Sequence, residues 1–522
     1  MVFPVAVVGA GNYFFNNMNK LNQKKQFLIF SSVIFIFFLF IAGIIISLYL
    51  NRENIAKNKN ISANLITSTE TTTPALVIYQ SYTTYFVPVT GFKVLRTNID
   101  SGEIKSTTVK ILASDEIEFK KNFPDIKYAV EDDSVFYDDV ANSESIGIVK
   151  LTKLSPKLKS LSLNKIDILD RTSDDTNYFL KYSTTVAQDE YAKLTDVVNR
   201  QNLNRILAMG EIIPARVVDH VMSKKNDYLW PFRGVKDFMA KYDARVATFE
   251  SALVGTGNGL VCAYMCFDFI ANEKFVEGMK YSGIDLVTLA DNHSMNGGIA
   301  GIGNDIKLLN GIGIKTIGAA TTNNEDATAP QIIEINGTKY GFIAYNEIPS
   351  VNDWATDTKG GTARVSTNDY QFIPGRVAHD VARAKALGAK FIIAMMHWGS
   401  REETNQPTDH QKLLGHHLVD NGVDLVIGDH PHWVMSVEFY KSPSNNEAKF
   451  IYYGIGNFVF DQDFSIQTSQ GSFAELDFYN DKIISIKIHP HQITNVQPNL
   501  IPETEKAYKQ VFDRIWQFTG KI

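Results

Sequence analysis

The stretch from Lys390 to His432 restricts the fold of this chain more than any other. Phe391-Ile392-Ile393-Ala394-Met395-Met396 is an unbroken apolar run of strand length, and it stops on His397-Trp398-Gly399. Leu413, Leu414, Leu418 and Val419 then recur at near-helical spacing until Gly422 ends the segment. Val423-Asp424-Leu425-Val426-Ile427 makes a second short strand, ending on Gly428-Asp429-His430-Pro431-His432. Apolar runs of this kind joined through a helix predict a parallel strand-helix-strand unit, buried on both faces. Open parallel sheets take ligands beyond the carboxyl ends of their strands, so both runs deliver histidines to a binding edge.

The pattern recurs upstream. Arg205–Met209 leads to Gly210-Glu211, Arg245–Phe249 leads to Glu250, and Ile284–Ala290 leads to Asp291-Asn292-His293. A lone histidine or glutamate at a strand end is an ordinary solvated residue, but five successive runs ending in carboxylate, amide or imidazole point to a site. Imidazole nitrogens mixed with carboxylate and amide oxygens suit borderline divalent ions such as Mn²⁺, Zn²⁺ or Fe²⁺ rather than calcium. Two such ions about 3.5–4 Å apart, sharing a carboxylate, lower the pKa of a bound water and stabilise the attacked group. A histidine beside them can protonate the leaving group. His410, His416 and His417 on the intervening helix read as surface or packing residues, and His489-Pro490-His491 as a repeat of the spelling without the glycine turn.

Six segments in order carry a family resemblance. They are Gly210-Glu211-Ile212-Ile213-Pro214-Ala215-Arg216, Phe249-Glu250, Asp291-Asn292-His293, His397-Trp398-Gly399, Gly428–His432 and Tyr453–Gln462. Over roughly residues 203–490 the chain resembles the CapA family of capsule and poly-γ-glutamate synthesis proteins, built on a calcineurin-like metallophosphatase fold. The resemblance implies an α/β protein of four layers with a β-sandwich centre, so the parallel-sheet picture holds for each half only. It implies metal ligands at Glu211, Glu250, Asn292, His397, His430 and His432, with Glu250 bridging two divalent transition-metal ions. It implies His293 as general acid and Arg216 and Asn457 as substrate contacts. Trp398 is a candidate for stacking on substrate, with an apolar wall of the site as the alternative. Glu211 stands where the family has aspartate, Thr248 and Asp291 where it has asparagine, Asn296 where it has aspartate, and Arg401 where it has glutamate.

The rest of the chain is read without that resemblance. With 522 residues, two or more domains are expected. Phe27–Leu50 is 24 residues without a charge, roughly 36 Å as a helix and long enough to span a bilayer. Lys20, Lys24 and Lys25 before it favour a cytoplasmic amino-terminal segment at 1–26 and an extracytoplasmic remainder. Val5–Gly11 opens like a dinucleotide fingerprint but lacks the third glycine at Phe14, and Met18 offers a second start with a conventional basic flank. Residues 51–74 are Asn-, Ser-, Thr- and Lys-rich and read as a tether. Runs at Ala75–Tyr79, Thr107–Leu112, Gly147–Leu151 and Ser160–Leu163 predict a small α/β domain over 75–183, weakly resembling one lobe of a solute-binding protein. A linker helix is predicted at 184–202, and a helical carboxy-terminal extension at 491–522.

Net charge of −6 gives no electrostatic footprint for nucleic acid. Cys262 and Cys266 are too few for a cysteine zinc site, and a local disulfide and two reduced thiols both stay open. Two functions follow. One is a membrane-anchored hydrolase or transferase acting on an anionic cell-surface polymer or its precursor, beside other capsule or polyglutamate synthesis proteins. The other is a non-catalytic polymer assembly factor with a residual metal site.

Overall fold

The computed structural model describes residues 78–520 apart from 189–193, 195–196, 258–266, 349–351, 368–370, 401–402 and 444–446. The predicted span at 27–50, the tether, both cysteines and Arg401 lie outside the described residues. Among the described residues no helix is long and apolar enough to cross a membrane.

Two mixed sheets form the larger part. The first runs in the order Lys315–Ile317, Leu286–Thr288, Ala244–Phe249, Leu203–Ile212, Gln470–Tyr479, Lys482–Thr494, Gln497–Leu500, and Asn457–Val459 also pairs with the end of Leu203–Ile212. The second runs Gln331–Ile335, Thr338–Asn346, Phe391–His397, Leu425–Asp429, Ala448–Tyr452, Val437–Lys441. Neighbours are parallel from Leu203–Ile212 to Lys315–Ile317 and from Thr338–Asn346 to Ala448–Tyr452, with antiparallel strands beyond.

Strand alternation explains why the runs are continuously apolar. Side chains on a strand point to opposite faces in turn. Ile206, Ala208, Phe342, Ala344, Ile393, Met395, Ile427 and Phe478 meet in one central core. Their neighbours Leu207, Met209, Ala247 and Val287 pack outward with Val218, Met222, Phe275 and Leu309 from the helices Val217–Lys225, Phe275–Ser282 and Gly298–Gly311. Ile392, Ala394, Met396 and Val426 pack on the other side with Val381, Ala384, Leu414 and Leu418 from Arg376–Ala386 and Asp409–Asp420. The result is four layers, helix, sheet, sheet and helix. Phe478 of the first sheet sits 4.8 Å from both Tyr340 and Phe391 of the second. Burying such a ring contributes roughly 2–3 kcal/mol.

The opening stretch folds as a parallel unit, with Ile393 opposite Leu425 and His397 opposite Asp429. Its helix starts on a capping box, Thr408 with Gln411, and Gly422 at φ +98° follows its end. Leu413 faces solvent, so three of its four predicted apolar positions make the buried stripe.

The amino-terminal sheet has the order Tyr128–Glu131, Val109–Leu112, Gly147–Lys150, Tyr79–Gly91, Leu158–Ser160, and Lys181–Ala187 pairs with the first half of Tyr79–Gly91. Two boundaries differ from the expectation. The first described strand runs Tyr79–Gly91, with 75–77 of the predicted Ala75–Tyr79 outside the described residues; Phe86, Val87 and Val89 are buried while its Ser- and Thr-rich start is ribbon. Of the linker helix predicted at 184–202, residues 184–187 are strand, where Thr184, Thr185 and Val186 pair with Tyr82, Ser81 and Gln80; Gln188 is helical, 189–193 and 195–196 lie outside the described residues, and the segment closes in a 3₁₀ turn at Arg200–Asn202. β-Branched residues lose side-chain freedom in a helix and fit a ladder better. The helix Lys506–Gln517 packs Phe512 and Ile515 into the shared core, and Trp516 lies 5.4 Å from Phe92.

Candidate metal centre

Each candidate ligand sits where a strand ends. Glu211 is the penultimate residue of Leu203–Ile212, Glu250 follows Ala244–Phe249, and His397 and Asp429 close the two strands of the opening stretch. Asn292-His293 lies in the turn after Leu286–Thr288. Asn457 begins a strand whose register places it beside Glu211. That approach depends on Gly210: a Cβ there would lie 2.9 Å from the Gly456 carbonyl carbon and closer still to its oxygen.

Around His397 the donors converge. Its Nδ1 meets Asp429 Oδ1 at 2.7 Å, while its Nε2 faces Asn292 Oδ1 at 2.5 Å, His430 Nδ1 at 3.2 Å and Glu250 Oε1 at 3.6 Å. Burial holds both His397 and His430 well below the usual imidazole range, so both are neutral. With the Nδ1 proton given to Asp429, His397 Nε2 aims a lone pair at the amide oxygen and the second imidazole. A cation placed between such donors would be held by all of them. A second group adjoins, in which His432 Nδ1 lies 2.6 Å from Glu211 Oε2 and 2.9 Å from Asn457 Oδ1. Donor atoms of Glu250, His397 and His430, and of Glu211, Glu250 and His432, each gather within 4.8 Å, and Glu250 belongs to both sets. These residues fit a pair of borderline divalent ions.

Outer contacts hold the donors in place, as metal ligands generally require. The Thr248 hydroxyl donates to Asp429, which in turn orients His397. Burial, with the charge of Glu211, pushes Asp429 well above the carboxylate range, an excess of negative charge that a bound cation relieves. Asp291 accepts from the backbone N–H groups of His293 and Ser294 and from the Ser294 hydroxyl, fixing the turn that presents Asn292. The His430 N–H donates to Glu211. His430 at φ +88° and His432 at φ +57° occupy backbone regions costing about 1–3 kcal/mol each in a non-glycine residue. Such strain collects where a site needs a side chain aimed.

Several expected roles change. Trp398 is fully buried, stacks on Tyr453 and donates from Nε1 to its carbonyl at 2.8 Å. It fills the space that Gly428 leaves open, so it is apolar wall and support for the strand, and does not stack on substrate. Arg216 is buried, paired with Asp461 and placed between the rings of Phe269 and Phe460. Asn457 is buried as well and braces His432. Neither offers a free face to a substrate. His491 is a support that the sequence reading set aside: its buried Nε2 meets the Asn457 carbonyl at 2.9 Å. His416 stacks on Tyr440 and His417 on Phe372, as helix-packing residues do.

His293 is held by Asn296. The Asn296 Oδ1 accepts from Phe269 N–H at 2.7 Å, which fixes the amide's orientation, and the same oxygen meets His293 Nδ1 at 2.9 Å. Nδ1 therefore carries hydrogen, and Nε2, 3.9 Å from Glu250 Oε1, carries the lone pair. Burial lowers the His293 pKa to about 4. At neutral pH the resting ring is neutral, so it takes up a proton before it can act as the general acid that the resemblance implies. Asn296→Asp is expected to raise that pKa by one unit or more, since a carboxylate beside an imidazole favours its protonated form (about 1.4 kcal/mol per unit). Titration of the His293 ring protons by NMR measures it, and an unchanged midpoint would contradict this account of the dyad.

Fold and donor cluster together define a four-layered α/β protein with a metal-type centre at its strand ends. Residues 205–462 match the bacterial capsule synthesis protein family PGA_cap. This segment is a CapA-family domain. The chain is 24% identical over 324 residues to the capsule biosynthesis protein CapA of Bacillus anthracis, covering 60% of this chain and 74% of that protein. It is 24% identical over 260 residues to the PGA biosynthesis protein CapA of Bacillus subtilis, covering 49% and 62%. Against a probable polyglutamine synthesis accessory protein of Mycobacterium tuberculosis it is 27% identical over 241 residues, covering 44% and 60%. Among solved structures it is similar to the NAD nucleotidase of Haemophilus influenzae, with 14% identity, a TM-score of 0.34 and coverage of 61% of this chain and 57% of that one. A 5'-nucleotidase precursor of Thermus thermophilus gives 10% identity, a TM-score of 0.35 and coverage of 60% and 58%.

Proposed function

We propose that this protein is a membrane-anchored, extracytoplasmic component of capsule or poly-γ-glutamate synthesis, whose CapA domain is a two-metal hydrolase or transferase. The polymer, or a lipid-linked or amide-linked precursor of it, is the substrate. The observation that carries the reading is the convergence of Glu211, Glu250, Asn292, His397, His430 and His432 at one pair of sheet edges. Asn292, His397 and His430 would hold one ion, Glu211 and His432 the other, and Glu250 both. Two such ions supply Lewis acidity and an activated water. Asp429 holds the His397 ring by its Nδ1 proton, and Asn457 holds His432. His293 Nε2 takes up a proton from the attacking water or hydroxyl, then returns it to the leaving group. The uncharged segment 27–50 is the proposed anchor, and other capsule or polyglutamate synthesis proteins are the proposed partners.

The test uses the purified full-length protein, loaded with Mn²⁺ and assayed on phosphoester, phosphodiester and γ-glutamyl substrates. Turnover of one class, lost in His293→Ala with metal content unchanged, is the expected result. Less than about half an equivalent of bound metal, together with inactivity on all three, would overturn it. The tying of Arg216 to Asp461 favours a second reading, a non-catalytic assembly factor. In that case His293→Ala leaves surface-polymer output intact.

A further inference from the structure

Leu203–Ile212 carries Glu211 near one end and Arg205 near the other, six residues apart, roughly 20 Å along an extended strand. Around Arg205 lies a second concentration of charge. Arg205 reaches Asp167 at 3.1 Å, Glu475 at 2.7 Å and Asp477 at 3.2 Å. Lys487 reaches Asp167 at 3.2 Å and Glu475 at 2.9 Å, and His489 Nε2 lies 2.8 Å from the other Glu475 oxygen. These groups come from both the amino-terminal sheet region and the sandwich, and they are matched to one another.

Beside them is a cavity of about 180 Å³, lined in part by Lys159, Ser162, Asp167, Glu475, Lys487 and Tyr508, more than ten times the volume that one water requires. Lys159 differs from the other charged groups there. It is 5% exposed, its ammonium donates to the Val94 carbonyl, and it has no ion pair among the described residues. The acid whose charge acts on it, Glu503, accepts through Oε2 from the Thr97 N–H at 3.0 Å and hydroxyl at 2.5 Å. An ammonium has three donors, and leaving a buried one short of acceptors is costly. Burial accordingly lowers the Lys159 pKa to about 7, a value an incoming anion would raise. The cavity thus combines an under-matched ammonium with two carboxylates that Arg205 and Lys487 already share, Lys487 itself standing on the wall.

We propose that this cavity binds a small zwitterion, an α-amino acid, with its carboxylate on Lys159 and the Ser162 hydroxyl and its ammonium toward Asp167 and Glu475. A simple anion would meet Asp167 and Glu475 unfavourably, and a simple amine would meet Lys159; a molecule with both charges meets neither penalty. The site is independent of the metal centre and of the activity proposed for it.

Calorimetric titration of the full-length protein with glycine, L-alanine and L-glutamate tests this, with acetate and ethylammonium as the two half-ligands. At least one amino acid should bind saturably with Kd below about 1 mM, and each half-ligand about tenfold or more weaker. Lys159→Met should weaken amino-acid binding by about tenfold or more while bound metal stays unchanged. Acetate binding as tightly as the amino acids, no saturation below about 10 mM, or unaltered binding by Lys159→Met would each overturn the proposal. Should Lys159→Met fail to fold, Ser162→Leu decides, since it fills the cavity from a half-exposed position: lost binding supports the site and retained binding excludes it.

Discussion

Glu250→Gln is expected to lower the divalent-metal content of the purified protein at least tenfold and any metal-dependent turnover about a hundredfold or more. Glu250 is shared by two of the three donor groups, one with His397 and His430 and the other with Glu211 and His432, while Glu211 and His397 meet Asp429 in the third. Glutamine keeps the shape and one oxygen but removes the charge that lets one side chain serve two cations. Both sites should therefore weaken together, whereas loss of His432 should empty one before the other. Elemental analysis after dialysis against a weak chelator reads the result. His416→Ala, which removes a ring stacked on Tyr440 and bonded to Glu438 outside the donor groups, is the control and should keep wild-type metal. Full metal content in Glu250→Gln would remove Glu250 from the bridge.

The second large effect concerns a residue with no side chain. Gly210→Ala should destabilise the fold by about 3 kcal/mol or more, at the upper end of overpacking substitutions. The obstacle is the backbone of Gly456, with Ile455 Cγ2 a further 3.2 Å contact, so no rotamer change relieves it. Relief requires the Asn457 strand to move off Glu211, which separates Asn457 from His432 as well. The variant should thus lose stability in urea unfolding and lose metal in the same preparation. Gly102→Ala, in the helix Ser101–Ser106 with nothing within 4 Å of the new methyl, should be neutral or gain up to about 1 kcal/mol. Equal behaviour of the two variants would refute the close-approach argument.

The strand ends were the legible part of the site. Apolar runs that stop abruptly on His397, Glu250 or Glu211 mark themselves, since little but a ligand explains a polar group at the buried end of a strand. The four layers were not legible from composition, because a run such as Phe391–Met396 is apolar whichever face meets the second sheet and whichever meets a helix. Trp398 shows the limit most plainly. Its neighbour His397 faces the metal centre, but the next residue turns into the space over Gly428, thirty positions on in sequence. Thr248 shows in the sequence only as a departure from the family and His491 only as a repeated spelling, because each acts on a residue that only the folded sheet brings near. Asn296 was visible as a departure from the family, though its effect on the His293 tautomer required the Phe269 N–H to fix the amide.

The docking of the last helix has a consequence for how the chain folds. Lys93 donates to the Thr519 carbonyl across 426 residues, and Phe92 meets Trp516 across a similar separation. Contacts of such sequence separation require loop closure before they return any stability, and they slow folding. Phe439 and Phe450 meet the same ring, so the Phe92 edge of the amino-terminal sheet is sealed only by segments that lie far downstream of it in sequence.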